Sequence, residues 1–184
     1  MKTKIIYALI IALVGIAIRL VTFLLGFETD KIGTTAATIY GVVIGIVSLV
    51  VLFVLVWLGV RAVRDEMPDQ CLTYGQGVGA GVIIVLIAAV IGAIYTGVHV
   101  SLINPDLAEN TIAFTRQKYA EAGMGDEQIE MAGKILRIMA HPGVVMVMAF
   151  ISKMFWGTIV SLIAAAIVKR APQSQPASQI PPPL

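Results

Sequence analysis

Residues 77 to 103 read GVGAGVIIVLIAAVIGAIYTGVHVSLI, a run without a single Asp, Glu, Lys or Arg. A hydrocarbon core of about 30 Å needs ~20 helical residues at about 1.5 Å each, and this run exceeds that length. In lipid every backbone polar group needs an internal partner, which for one open segment only a helix supplies. Working outward, three more blocks meet the same requirement: Ile5 to Phe27, Ala37 to Val60 and Val144 to Val168. The expected fold is therefore all-α, an integral membrane bundle of four transmembrane helices over residues 1–170. Residues 104–143 form an extramembrane helical hairpin between spans three and four. Lys2 and Lys4 precede the first block as in a signal peptide, but the apolar run to Phe27 outlasts the usual ~7–15-residue core of one. It reads as a span.

Composition agrees. Of 184 residues, 58% are hydrophobic and 13% charged, with a mean hydropathy of +0.92, whereas soluble domains carry roughly a quarter charged residues. A net charge of +2 gives no basis for a nucleic-acid partner. A lone cysteine, Cys71, excludes an intrachain disulfide. Little chain is left over for a soluble catalytic domain.

The cations at the span ends set an expected orientation. Lys2 and Lys4, Arg61 and Arg64, and Lys169 and Arg170 belong on one side, which the positive-inside rule makes the cytoplasm. Both termini are then cytoplasmic. Arg116, Lys118, Lys134 and Arg137 of the hairpin are set back from the span ends. Tyr7, Trp57 and Tyr74 fall near the inner boundary and Tyr40 near the outer one, while Trp156 lies deep and reads as a packing residue.

In the hairpin, Asn104 reads as an N-cap with Pro105 at the first helical position. That helix runs to about Ala122 and stops at Gly123-Met124-Gly125; Asp126 caps a second helix with Ile129, Ala132, Leu136 and Met139 at helical spacing. The hairpin either lies on the outer surface or acts as a lid. Residues 171–184, rich in Pro, Gln and Ser, read as a disordered cytoplasmic tail.

Gly75-x-Gly77-x-x-Ala80 satisfies a loose dinucleotide fingerprint, but a membrane helix follows it and no strand precedes it. Close helix packing is the better account of Gly77-x-x-x-Gly81 and Gly41-x-x-x-Gly45. No metal-ligand spacing involves His99 or His141, and there is no Walker loop or nucleophile elbow. No metal and no cofactor is implied. The methionines of the second half read as adaptable packing.

Three ionisable residues lie inside spans: Arg19, His99 and Lys153. Burying charge in hydrocarbon is costly, so such groups face the bundle interior and need partners. Each sits on a stripe of small residues: Arg19 with Gly15, His99 with Gly81 and Gly92, Lys153 with Gly157. These three are the candidate anion- or lipid-binding residues of an outward-opening basic pocket. Glu28, Asp30, Asp106 and Glu109 are the candidate counter-charges in the loops.

Thr73-Tyr74-Gly75-Gln76, Ala93-Ile94-Tyr95-Thr96, Ile103-Asn104-Pro105-Asp106 and Gly157-Thr158-Ile159-Val160-Ser161-Leu162-Ile163 resemble an uncharacterised bacterial membrane family, domain of unknown function 4199. The resemblance extends up to Arg170. It implies four spans in a bacterial cytoplasmic membrane and brings no activity, substrate or catalytic residue.

Three functions fit the residues. The first is a non-enzymatic protein that packs against the bilayer's other occupants, as a homo-oligomer or with another membrane protein, through its glycine stripes. The second is a binding or transport component whose basic pocket receives an anionic lipid or solute. The third is an enzyme acting on lipid with His99, Asp106 or Glu109, although no acid–base pair is evident.

Overall fold

The computed structural model describes residues 1–67 and 70–169; Arg170 and the Pro-rich segment 171–184 lie outside the described residues. Four helices are long and apolar enough to cross a membrane. They are α1 (Lys2–Leu24), α2 (Thr35–Asp65), α3 (Tyr74–Val98) and α6 (Pro142–Val168). The shorter α4 (Leu107–Glu121) and α5 (Asp126–Met139) form the hairpin between α3 and α6. The fold is all-α, as the hydropathy implies. Successive long helices run antiparallel, so the α1–α2 loop and the hairpin share one side, and the chain start and the α2–α3 loop share the other.

Local chemistry explains where these helices begin. Thr34 caps α2, its hydroxyl accepting from Ala37 N at 3.1 Å. At α3, Thr73 Oγ1 accepts from Gln76 N, and Gln76 Oε1 accepts from Thr73 N at 3.0 Å. This capping box satisfies two backbone donors that a helix start leaves open. The Thr73-Tyr74-Gly75-Gln76 motif is thus a helix start. His141 caps α6 by accepting from Gly143 N at 3.2 Å, with Pro142 at the first position.

Two cap assignments differ from the sequence expectation. Helix α4 begins at Leu107 after Asp106, because the Asn104 side chain turns inward and donates to Glu28 O at 3.2 Å. Helix α5 takes Gly125 as its N-cap, with Asp126 already in its first turn and no side-chain cap bond. The far end of α3 also departs from a plain α-helix. His99–Ile103 widens into a π-helical turn, closed by Asn104 N donating to His99 O at 2.8 Å.

The bundle closes at the terminal side through α3 and α6. A Cβ on Gly77 would meet Ala165 Cβ at 3.0 Å, and one on Gly81 would meet Ser161 Oγ at 2.7 Å and its Cα at 3.3 Å. Gly157 faces Val85 in the same way. Successive small residues on the two antiparallel helices therefore interlock, and their backbones approach as only glycine allows. Ala8, Val56, Val60, Ile84, Val85, Ala88, Val160 and Ala164 complete one buried cluster at this end.

Gly41 and Gly45 meet no neighbour among the described residues: a Cβ on either would have nothing within 4 Å. The first half of α2 leaves Ile39, Val42, Val43, Ile46 and Val50 exposed, while Tyr40 on the same half reaches α1 at Thr22. Trp156 differs too. It is 48% exposed and lines an open cleft instead of filling the interior.

Overpacking a tight contact costs about 1–3 kcal/mol, whereas a substitution in open space stays within about ±0.5 kcal/mol. Gly81→Val should therefore lower the thermal unfolding midpoint of the purified protein clearly, and Gly45→Ala, which adds helix propensity in open space, should not lower it. Equal midpoints for the two variants would contradict the α3–α6 interlock.

Candidate functional site

Two polar arrangements occupy the half of the bundle nearer the hairpin. The first centres on Glu28, in the loop after α1. Its carboxylate bridges two helices: Oε1 lies 3.3 Å from Arg19 Nη2 on α1, and Oε2 lies 2.7 Å from His99 Nε2 at the end of α3. His99 is fully buried. Its Nδ1 lies 3.3 Å from the Tyr95 hydroxyl, one helical turn earlier, and the Phe23 ring meets the imidazole edge-on at 5.6 Å. Both ring nitrogens therefore have a hydrogen-bonding neighbour, Nε2 the Glu28 carboxylate and Nδ1 the Tyr95 hydroxyl. Asn104 then holds the Glu28 carbonyl.

Glu28 thus serves as the shared acceptor for Arg19 and His99. Of the four acids considered as counter-charges, Glu28 alone pairs with the basic residues. Asp30, Asp106 and Glu109 form no ion pair among the described residues. The sequence offers the Tyr95–His99 contact through its i, i+4 spacing. No local signal announces that Glu28 folds back onto a residue 71 positions later.

The second arrangement centres on Lys153. From α6 its side chain crosses the bundle, and Nζ comes within 3.4 Å of where a Cβ would sit on both Gly15 of α1 and Gly92 of α3. Side chains at these two positions would crowd the ammonium group. Among the described residues Lys153 has no ion pair and no hydrogen bond. A small cavity of about 100 Å³ between α1, α3 and α6 is lined by Arg19, Tyr95, Thr96 and Lys153. Arg19 Nε is buried there without a hydrogen-bond partner.

Lys153 also lines a larger, open cleft of about 600 Å³ between α1, α2 and α6. The rest of that cleft is mostly aliphatic, with Val14, Ile18, Ile46, Leu49 and Leu52 among its walls, and Gly41 and Gly45 on its rim. Along α2 the lining runs from Gly41 to Leu55, ~21 Å by the helical rise. Arg19 and Lys153 are brought together around the small cavity. His99 does not line it and is joined to its walls through Tyr95 and, by way of Glu28, Arg19.

Removing one partner of a charge-assisted hydrogen bond costs about 1.5–3 kcal/mol. Glu28→Gln should lose that much unfolding free energy in detergent, and the loss for Glu28→Gln with His99→Ala should fall short of the two single losses combined. Asp30→Asn should change nothing measurable. A Glu28→Gln protein as stable as the parent would contradict the bridge.

No curated protein and no solved structure matches the chain. A family model described as "Protein of unknown function (DUF4199)" matches residues 6–170, which takes in nearly all of the six helices, the Glu28 bridge and the Lys153 cleft. On that match the chain belongs to the DUF4199 family.

Proposed function

We propose that this is a multi-pass protein of a bacterial cytoplasmic membrane, both termini cytoplasmic, that binds an anionic amphiphile in the cleft between α1, α2 and α6. One observation carries the reading: Lys153, without an ion pair or hydrogen bond among the described residues, brings its amino group to a mostly apolar cleft. It lies ~16 Å along α6 from Pro142 by the helical rise, well inside the hydrocarbon. A lysine there costs about 2.5–3.5 kcal/mol on insertion scales, and an anionic head group would offset that cost.

The shape of the cleft supports the same ligand class. Its volume of about 600 Å³ is that of a small-molecule site, and its aliphatic length suits a hydrocarbon chain. The head group would meet Lys153 and the free Nε of Arg19 across the small cavity. The orientation is supported by Lys2, Lys4, Arg61, Arg64 and Lys169 on the terminal side.

A second reading rests on Gly41 and Gly45. Their open face on α2 would let a helix of another copy, or of another membrane protein, approach closely. No acid occurs in any span of this chain, so a span of a second copy would leave Lys153 unpaired. The amphiphile reading is preferred for that reason.

Purification from native membranes followed by lipid mass spectrometry tests it. Lys153→Met should shed an anionic single-chain or lipid species at least about tenfold, equivalent to ~1.4 kcal/mol, while Lys153→Arg retains it. After delipidation the Met variant should unfold at a higher temperature than the parent, since it no longer buries an unpaired cation. Undiminished retention in Lys153→Met would overturn the proposal.

A further inference from the structure

A separate cleft of about 620 Å³ opens between α4 and α5, at the end of the hairpin that joins the bundle. Its chemistry is unlike that of the Lys153 cleft. Arg116, Arg137 and His141 line it, with Glu109 as its acid and Ile112 among its apolar residues. Neither arginine forms an ion pair among the described residues, and Arg116 Nε is buried without a partner. His141 commits Nδ1 to Gly143 N, which leaves Nε2 unused. Glu109 sits in the first turn of α4, where the helix N-terminus already favours a negative charge.

Arg116 is also closely seated. A Cβ on Gly133 of α5 would lie 2.6 Å from Arg116 Nε and 2.9 Å from Cζ. Glycine inside a helix costs about 1 kcal/mol relative to alanine, and here its bare surface is what accommodates the guanidinium.

Connectivity fixes the level of this cleft. His141 immediately precedes Pro142, the first residue of a helix long enough to cross a membrane. The cleft therefore lies at the end of a span, at the depth of lipid phosphates. On α5, Met131, Ile135 and Ile138 are 60%, 55% and 68% exposed and recur at steps of four and three. Such a stripe beside cations is how a helix lies in a membrane interface.

We infer that Arg116 and Arg137, with His141, hold the phosphate of an anionic lipid head group, one without a cationic choline to compete with the arginines, in the cleft between α4 and α5, seating the hairpin on the membrane. Guanidinium groups bind phosphate oxygens bidentately, which matches two arginines left without protein acceptors. The site is independent of Lys153.

Hydrogen–deuterium exchange of the full chain in nanodiscs tests the inference. Amides of α4 and α5 should exchange about tenfold more slowly when phosphatidylglycerol is mixed into phosphatidylcholine discs. Arg137→Gln, at an exposed position, should abolish most of that slowing, and Gly133→Ala should weaken it without removing any charge. Lys134→Gln, which breaks an exposed pair with Glu130 on the same helix, should leave it intact. Exchange in α3 and α6 serves as the control for folding. Three results would overturn the inference: no difference between the two discs, an equal loss in Lys134→Gln, or the same slowing produced by inorganic phosphate in phosphatidylcholine discs.

Discussion

The close approach of α3 and α6 is the constraint on which the remaining structure depends. Gly77 against Ala165, Gly81 against Ser161 and Val85 against Gly157 draw the two helices together. The buried cluster then forms around them at the terminal end. Lipid tails are as apolar as leucine, so helices in a bilayer gain little from hiding aliphatic surface and associate through tight packing of small residues. Closing the bundle at one end this way leaves the other end free to diverge. There α2 meets α1 through Tyr40, which shares a hydrogen bond with Thr22 and stacks on Phe27, and the cleft containing Lys153 opens between α1, α2 and α6.

Polar groups then sort by whether the chain supplies a partner. Around Glu28 the chain supplies partners: one carboxylate faces a guanidinium and an imidazole. Tyr95 meets the other imidazole nitrogen and Asn104 holds the Glu28 carbonyl, while Arg19 Nε stays without a partner among the described residues. This bridge ties the first loop to the π-helical turn that ends α3. A π turn carries an extra residue per turn and rotates the residues beyond it, so His99 and Asn104 both reach Glu28. Phe114 of α4 packs over Gly33 of the same loop, whose φ of +80° places it in a region that suits glycine. Around Lys153 the balance is not complete. Both arginines of the hairpin share that property. The structure thus separates satisfied charges, which hold it together, from unsatisfied ones, which mark where ligands are proposed.

Much of this was legible in the sequence. The long apolar runs give four helices because length and hydropathy alone decide the matter. The small-residue stripes placed Arg19, His99 and Lys153 towards other helices, and each does face inward, since a cation in lipid has few alternatives. What periodicity does not supply is the neighbour. Gly41-x-x-x-Gly45 and Gly77-x-x-x-Gly81 are the same motif, yet one interlocks and the other faces open space. Glu28 was one of four equivalent loop acids until the loop's path brought it to His99. Asn104 had the local features of a helix cap, but a long-range bond to Glu28 outcompeted that role. Trp156 was misplaced because depth along a helix says nothing about which side it faces.

The proposed ligand would match the Lys153 amino group, which has no partner among the described residues. A crystal structure of the full chain grown from a lipidic mesophase tests this most directly. Elongated non-protein density is expected along α2 between Gly41 and Leu55, with its polar end about 2.7–3.2 Å from Lys153 Nζ. A cleft closed by α2 moving onto α6, or filled by a helix from a second copy while Nζ remains unpaired, would contradict it.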